Sequence, residues 1–223
     1  MTIEESCKFF CHLLKNNKQI ADKNQAELKK HADHQSPKIA IITCSDSRMP
    51  LNLYGEVNDI MGNVFVGKDI GNTSADSDAV IDYAINHLKI PLIVILGHTD
   101  CGAVKAAADD FSDETPAIKK RLETIKNSSK DTTDAAVDKH IQCVKDNVHD
   151  SVERIINAHR NLIDNKELSV AGCLCDTAGI YGQKICSATY IININGGKDS
   201  QELQNQDLIK TIDDGLKSRI FSQ

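Results

Sequence analysis

The chain has no tryptophan, and its five Phe and four Tyr are thinly spread over 223 residues. That leaves little for stacking the bases of a single-stranded nucleic acid. A basic footprint is also missing: 26 Lys and Arg stand against 32 Asp and Glu, a net charge of −6. Nucleic acid is therefore not an expected partner. No apolar run approaches the ~20 residues that span a bilayer, so no membrane is expected either. The opening MTIEESCKFFCHLLKNNK is acidic before a short apolar patch, the reverse of a secretory signal, and it lacks the Arg- and Ser-rich character of a transit peptide. No internal repeat and no low-complexity tract interrupts the chain. The expectation is a soluble cytosolic protein whose 40% hydrophobic content builds one real core.

Apolar periodicity predicts one or two amphipathic helices over residues 3–31, broken near Asn16–Asn17. Pro37 then ends the helical pattern, and Lys38–Thr43 is a β-branched run of the buried-strand type. Further strands are expected at Asn63–Val66, Leu92–Leu96, Leu168–Gly172 and Ala188–Ile194. Helices are expected at Ser74–Leu88, with Ala75, Ala79, Tyr83 and Ala84 on one side, at Ala103–Ala108, Ala135–Leu162 and Asp199–Ile220. A polar excursion, 109–134, holds a short helix. The organisation is a helical arm (1–34), a central core (35–108), the excursion, and the remaining helices and sheet edge (135–223). Apolar strands alternating with helices define an α/β fold with a mainly parallel sheet flanked by helices.

Eight cysteines, at 7, 11, 44, 101, 143, 173, 175 and 186, come without the dense spacing of a disulfide scaffold. Two strand ends raise particular ones above the background of small buried residues. The first strand runs into Cys44-Ser45-Asp46-Ser47-Arg48, and the third into Gly97-His98-Thr99-Asp100-Cys101-Gly102. Ligands of a parallel sheet gather outside the carboxyl ends of its strands, so the two motifs are expected to meet. Together they offer two thiolates and one imidazole, three of the four ligands of a tetrahedral zinc site, and three protein ligands with one open position are the catalytic arrangement. The rival donor cluster is Cys173 and Cys175, which share a face of their strand but have neither a histidine nor an Asp–Arg pair nearby.

These motifs resemble those of the β-class carbonic anhydrases, Cys-x-Asp-Ser-Arg and His-x-x-Cys-Gly. The likeness is strongest over residues 35–108 and extends through Gln35-Ser36-Pro37, Phe65-Val66, Ile81-Asp82-Tyr83-Ala84 and Leu92–Gly97, with a weaker echo in Gly172–Asp176. The resemblance implies one Zn2+ per chain on Cys44, His98 and Cys101, with Asp46 and Arg48 as the dyad beside it. It implies hydration of carbon dioxide to bicarbonate and a proton, Asp46 orienting the attacking hydroxide. It further implies that Gln35 reaches a partner subunit's site, that Phe65 and Tyr83 line the substrate pocket, that the Gly102 N–H faces the substrate, and that a homodimer or larger homo-oligomer forms through the amino-terminal helices. Many members carry Arg-Asn where this chain has Lys68-Asp69, and members that close their site around bicarbonate use a Trp that is missing here. An open, plant-like site is the expectation. His31, His34 and His87 are the proton-shuttle candidates. The alternatives are hydrolysis of carbon disulfide or carbonyl sulfide at the same site, an inactive zinc-stabilised assembly protein and, more weakly, redox chemistry at Cys173 and Cys175.

Overall fold

The computed structural model describes residues 2–128 and 136–221. Five strands, β1 (Ile39–Cys44), β2 (Val64–Asp69), β3 (Leu92–His98), β4 (Ser169–Asp176) and β5 (Ala188–Ile194), form one sheet in the order β2-β1-β3-β4-β5. The first four are parallel and β5 runs antiparallel along β4. Five of the six β1 residues are buried, because a central parallel strand is covered on both faces and needs an apolar run without alternation. The strands reach further than their apolar residues do. Gly67, Lys68 and Asp69 continue β2 because Ile42, Thr43 and Cys44 of β1 supply ladder partners, and β3 extends to His98 against Cys175 of β4.

The helices depart from expectation in instructive places. Helix α1 (Ile3–Lys23) runs straight through Asn16–Asn17, since asparagine costs a helix only a few tenths of a kcal/mol. The break falls at Asn24, before α2 (Gln25–Lys30). A capping box at Thr2 and Glu5 starts α1. After α3 (Val57–Ile60), the segment expected to be one helix divides into a 3-10 turn at Ser74–Asp76, α4 (Asp78–Asp82) and a wider turn at Tyr83–His87. Its inward side is Ile81, Ala84 and Ile85, while Ala79 and Tyr83 face outward. The end of the chain is three short helices, α9 (Ser200–Gln204), α10 (Asp207–Lys210) and α11 (Asp214–Ile220). Asp199 and Asp213 cap the first and last by accepting from the N–H groups of Glu202 and Leu216. Asp213 starts a new helix inside the expected one, so the single helix over 199–220 does not form.

Helix α5 (Gly102–Ala108) follows β3, and α6 (Pro116–Ser128) is the helix expected within the polar excursion, whose residues 129–134 lie outside the described ones together with Ala135. Helix α7 (Ala136–Ala158), followed by α8 (Arg160–Asp164), lays Val144, Val148, Val152 and Ile155 on β3 and β4. It comes so close that a Cβ at Gly97 would stand 2.6 Å from Val148 Cγ2, and one at Gly172 2.8 Å from its Cγ1. Arg121 of α6 clamps the segment after β2, bonding Asp69, Thr73 and Asp76 at once. Helix α1 by contrast buries none of its residues, leaving Phe9, Phe10, Leu13 and Leu14 exposed. Among the described residues no helix is long and apolar enough to cross a membrane.

Candidate active site

The carboxyl ends of β1 and β3 lie side by side in the sheet, and so they bring Cys44 and His98 to one edge. Past β3 the chain must turn sharply to enter α5. Asp100 makes that turn at φ 59, in the left-handed region that Asp tolerates better than most residues. The turn sets Cys101 at the N-cap of α5 with its side chain inward, 1% exposed. One ligand atom each from Cys44, His98 and Cys101 then lies within 4.8 Å of the other two.

The imidazole is prepared for a metal. His98 is fully buried, and its Nδ1–H donates to the Thr99 carbonyl at 2.8 Å. Its Nε2 is sealed from solvent without a hydrogen-bond partner, an arrangement that costs free energy unless a bound group such as a metal takes up its lone pair. The two thiols differ. Cys44 is drawn towards the thiolate, chiefly by the hydrogen bond from Cys101 and against the cost of burial, with further help from His98 and the backbone N–H groups of Asp46 and Gly71. Cys101 is pushed upward by Cys44 and by burial. Two soft sulfurs and an open imidazole nitrogen are a zinc donor set.

Beside them lies a fixed pair. Arg48 donates from Nε to Asp46 Oδ1 at 3.0 Å and from an η nitrogen to Oδ2 at 2.8 Å, and its own backbone N–H adds a third bond at 2.8 Å. The guanidinium fork holds the Asp46 carboxyl well below the usual carboxylate range. Asp46 Oδ2 stands 3.9 Å from His98 Nε2, at the edge of the donor set. Arg48 is itself anchored by the Asp100 carboxylate and carbonyl, each at 2.9 Å, and Lys105 pairs with the far side of Asp100. Asp100 and Lys105 were not among the residues singled out from the sequence, although Asp100 sits inside the His-x-x-Cys motif. Nor was His140 of α7, which carries a buried, unpartnered Nε2 in the field of Lys105, Asp100 and His98. Only the packing of α7 on α5 brings it there.

The remaining candidates fall in different places. A Cβ at Gly102 would meet nothing within 4 Å, so open space adjoins its backbone at the start of α5. Phe65 pairs with Ala40, four residues before the Asp69–Cys44 pair, about 13 Å back along the strand. Tyr83 stacks on it at 6.0 Å and His87 on Tyr83 at 5.0 Å. Gln35 is exposed and precedes the opposite end of β1. Within one chain these three side chains sit away from the donor cluster. His31 leans on Gly62 and Glu27, and His34 is exposed in the linker after α2. Lys68 spends its ammonium on the Met49 carbonyl at 2.8 Å, and Asp69 is taken by Arg121. Cys173 and Cys175 do share a face, packed with Ile41, Met49 and Leu96. Burial pushes the Cys173 thiol up to about 12 and raises Cys175 as well, which favours the protonated thiol at both.

Comparison with known proteins agrees with this geometry. Residues 39–179 match the family model described as carbonic anhydrase. A carbonic anhydrase of Emericella nidulans is 41% identical over 103 residues, covering 41% of this chain and 42% of that protein. One of Saccharomyces cerevisiae is 35% identical over 92 residues, covering 40% of each. The chain thus matches about two fifths of the length of these curated relatives. Among solved structures, a tetrameric β-carbonic anhydrase of Sordaria macrospora is 29% identical with a TM-score of 0.65, over 76% of this chain and 92% of that one. A Coccomyxa β-carbonic anhydrase in complex with acetazolamide shares the fold at 22% identity, with a TM-score of 0.68 over 92% of this chain and 98% of that one. A mainly parallel sheet with a Cys–His–Cys donor cluster at its carboxyl edge defines an α/β protein with a candidate metal site. The chain belongs to the carbonic anhydrase family, in its β class.

Proposed function

We propose that this protein catalyses the reversible hydration of carbon dioxide, carbon dioxide and water giving bicarbonate and a proton. Zinc, one per chain, would be held by Cys44, His98 and Cys101. The observation that carries the reading is the buried, unpartnered Nε2 of His98 facing two thiols, with an Arg-clamped carboxylate 3.9 Å away. Bound there, zinc supplies the Lewis acidity that makes hydroxide available near neutrality.

The protein side chains do the positioning. Asp46, ionised because Arg48 bonds both its oxygens, accepts a hydrogen bond from the attacking water or hydroxide and aims a lone pair at carbon dioxide. Arg48 cannot swing away easily, since Asp100 holds its other edge. The open space at Gly102 leaves its backbone N–H free to meet a substrate oxygen. A donor set of two thiolates and one imidazole is richer in electrons than three imidazoles, so activity is expected to climb on the alkaline side of neutrality. Stopped-flow hydration on zinc-quantified protein tests this. Near one zinc per chain with a rate rising above pH 7 is the expected result; a profile already flat from about pH 6.5 would sink the donor-set argument, and zinc without hydration would sink the reaction.

The exposed apolar side chains of α1 support a homodimer as the smallest active unit, with Gln35, Phe65 and Tyr83 of one chain serving the other chain's pocket. The Phe10→Asp variant is expected to sediment as a monomer that keeps its zinc yet hydrates carbon dioxide more slowly. A monomeric wild type of full activity would refute the dimer.

A further inference from the structure

The Thr99 carbonyl is the hydrogen-bond acceptor of the His98 ring, and the sheet does not hold it. The β3 ladder ends at the His98–Cys175 pair, and the Thr99 N–H makes the last bond of that run, to the Cys175 carbonyl at 2.9 Å. The chain then swings through the left-handed Asp100, and among the described residues no backbone N–H bonds the Thr99 carbonyl. Two side chains bond it instead: His98 Nδ1–H donates at 2.8 Å and the Thr177 hydroxyl at 2.6 Å. A carbonyl oxygen has two lone pairs, and these two donors use both.

Thr177 does not act alone. Three consecutive residues at the end of β4, Asp176, Thr177 and Ala178, all bond Thr99. Asp176 Oδ1 accepts from the Thr99 hydroxyl at 2.9 Å, and the Ala178 N–H donates to that hydroxyl oxygen at 3.2 Å. The Asp176 carboxyl is fully buried and also accepts from the N–H groups of Ile180 at 3.0 Å and Tyr181 at 2.8 Å. It closes the turn that carries Thr177, and a buried polar network whose members are all bonded is rigid. A rigid turn thus grips the one peptide on which the imidazole leans.

We propose that Thr177 is a positioning residue of the metal centre: its hydroxyl fixes the Thr99 carbonyl, and the fixed carbonyl sets the tautomer and tilt of the His98 ring. This rests on His98 being a metal ligand, as in the function proposed above. Partners behind a metal-binding histidine orient its ring, and losing one weakens metal binding by about 10- to 100-fold. Without the Thr177 hydroxyl the carbonyl is held by the ring alone, so ring and peptide can tilt together. Asp176 keeps Thr177 in place but bonds neither the ring nor the carbonyl.

The test compares wild type, Thr177→Val and Thr177→Ser, each loaded with cobalt(II). Chelator competition reads the affinity. Proton NMR reads the exchange with water of the His98 Nδ1 proton, whose signal the bound cobalt shifts clear of the others. Thr177→Val keeps the shape of threonine and loses the donor; it should bind cobalt about tenfold more weakly and exchange that proton faster. Thr177→Ser restores the hydroxyl and should return both values to those of wild type. Thr189→Val, which breaks a 2.8 Å hydrogen bond with the Tyr54 hydroxyl instead, should change neither. Either value unchanged in Thr177→Val, or the same loss in Thr177→Ser or Thr189→Val, overturns the proposal. If Thr177→Val does not fold, neutron diffraction from wild-type crystals decides: a Thr177 deuteron directed at the Thr99 carbonyl supports the link, and one directed elsewhere overturns it. Wild type that loads no metal would overturn the zinc reading and this inference with it; normal loading beside an unaltered Thr177→Val overturns this inference alone.

Discussion

The Cys101→Ala variant is expected to purify with less than about a tenth of a zinc per chain and to lose hydration by a factor of about a thousand or more. Cys101 is 1% exposed at the N-cap of α5, and Cys44, His98 and Cys101 are the one group of possible metal-ligating side chains found among the described residues. Two remaining ligands are too few for a tetrahedral site with one open position. The fold should survive, because a buried Cys-to-Ala change removes one atom and costs on the order of 1 kcal/mol. Loss of activity in a folded, metal-free protein is thus separable from unfolding by circular dichroism and metal analysis. Cys173→Ala gives the contrast: its protonated thiol among Ile41, Met49 and Leu96 should be dispensable to zinc and rate alike. A Cys101→Ala protein that retains full zinc and full turnover would refute the ligand assignment.

For Asp46→Asn the expected result is different in kind: zinc near one per chain, and kcat lower by about a hundred- to ten-thousandfold. The amide keeps the shape of the carboxylate but carries no charge and offers an N–H where Arg48 requires an acceptor, so one arm of the fork is lost. Arg48 keeps its bonds to Asp100 and stays near the site, which confines the damage to orientation of the attacking group. The pH behaviour adds a second readout. Asp46 has a folded-state pKa depressed by Arg48, so it is ionised throughout the working range and is not the source of an alkaline rise. The stability it lends is present above about pH 4, the ordinary Asp value, and is lost as pH falls through the depressed folded-state value. Wild type and variant should therefore converge in stability in strong acid and diverge above it. Unchanged turnover in the zinc-replete variant would remove Asp46 from the mechanism.

Much of this was legible from residue type and order. The β-branched run of β1 and the apolar run of β3, each ending in polar, ligand-bearing residues, state both the buried parallel strands and the edge where chemistry gathers. The Cys44, His98 and Cys101 donor set and the Asp46–Arg48 neighbours were legible from spacing and company, whereas Cys173 and Cys175 stayed a rival cluster until their burial was seen. Helix breaks were less legible, because Asn16–Asn17 and Ser74–Leu88 are governed by weak local preferences that capping and packing override. The single terminal helix failed for the same reason: Asp213 acts as a cap only once the backbone has placed the Leu216 N–H within reach of its carboxylate.

Sequence by itself set out the donor groups of the candidate site, two thiols and one imidazole with an Asp–Arg pair at adjoining strand ends. Tertiary structure alone decided what surrounds that chemistry. It brought Asp100 behind Arg48 through a left-handed turn, set His140 near Lys105, tied Arg121 across Asp69 and Asp76, and carried Asn147 from seventy-six positions away to the Gly71 carbonyl. The physical reason is range. A ligand's identity is a property of its side chain and travels with the sequence. A hydrogen bond between residues far apart along the chain exists only after the sheet has formed and α7 has closed over Gly97 and Gly172.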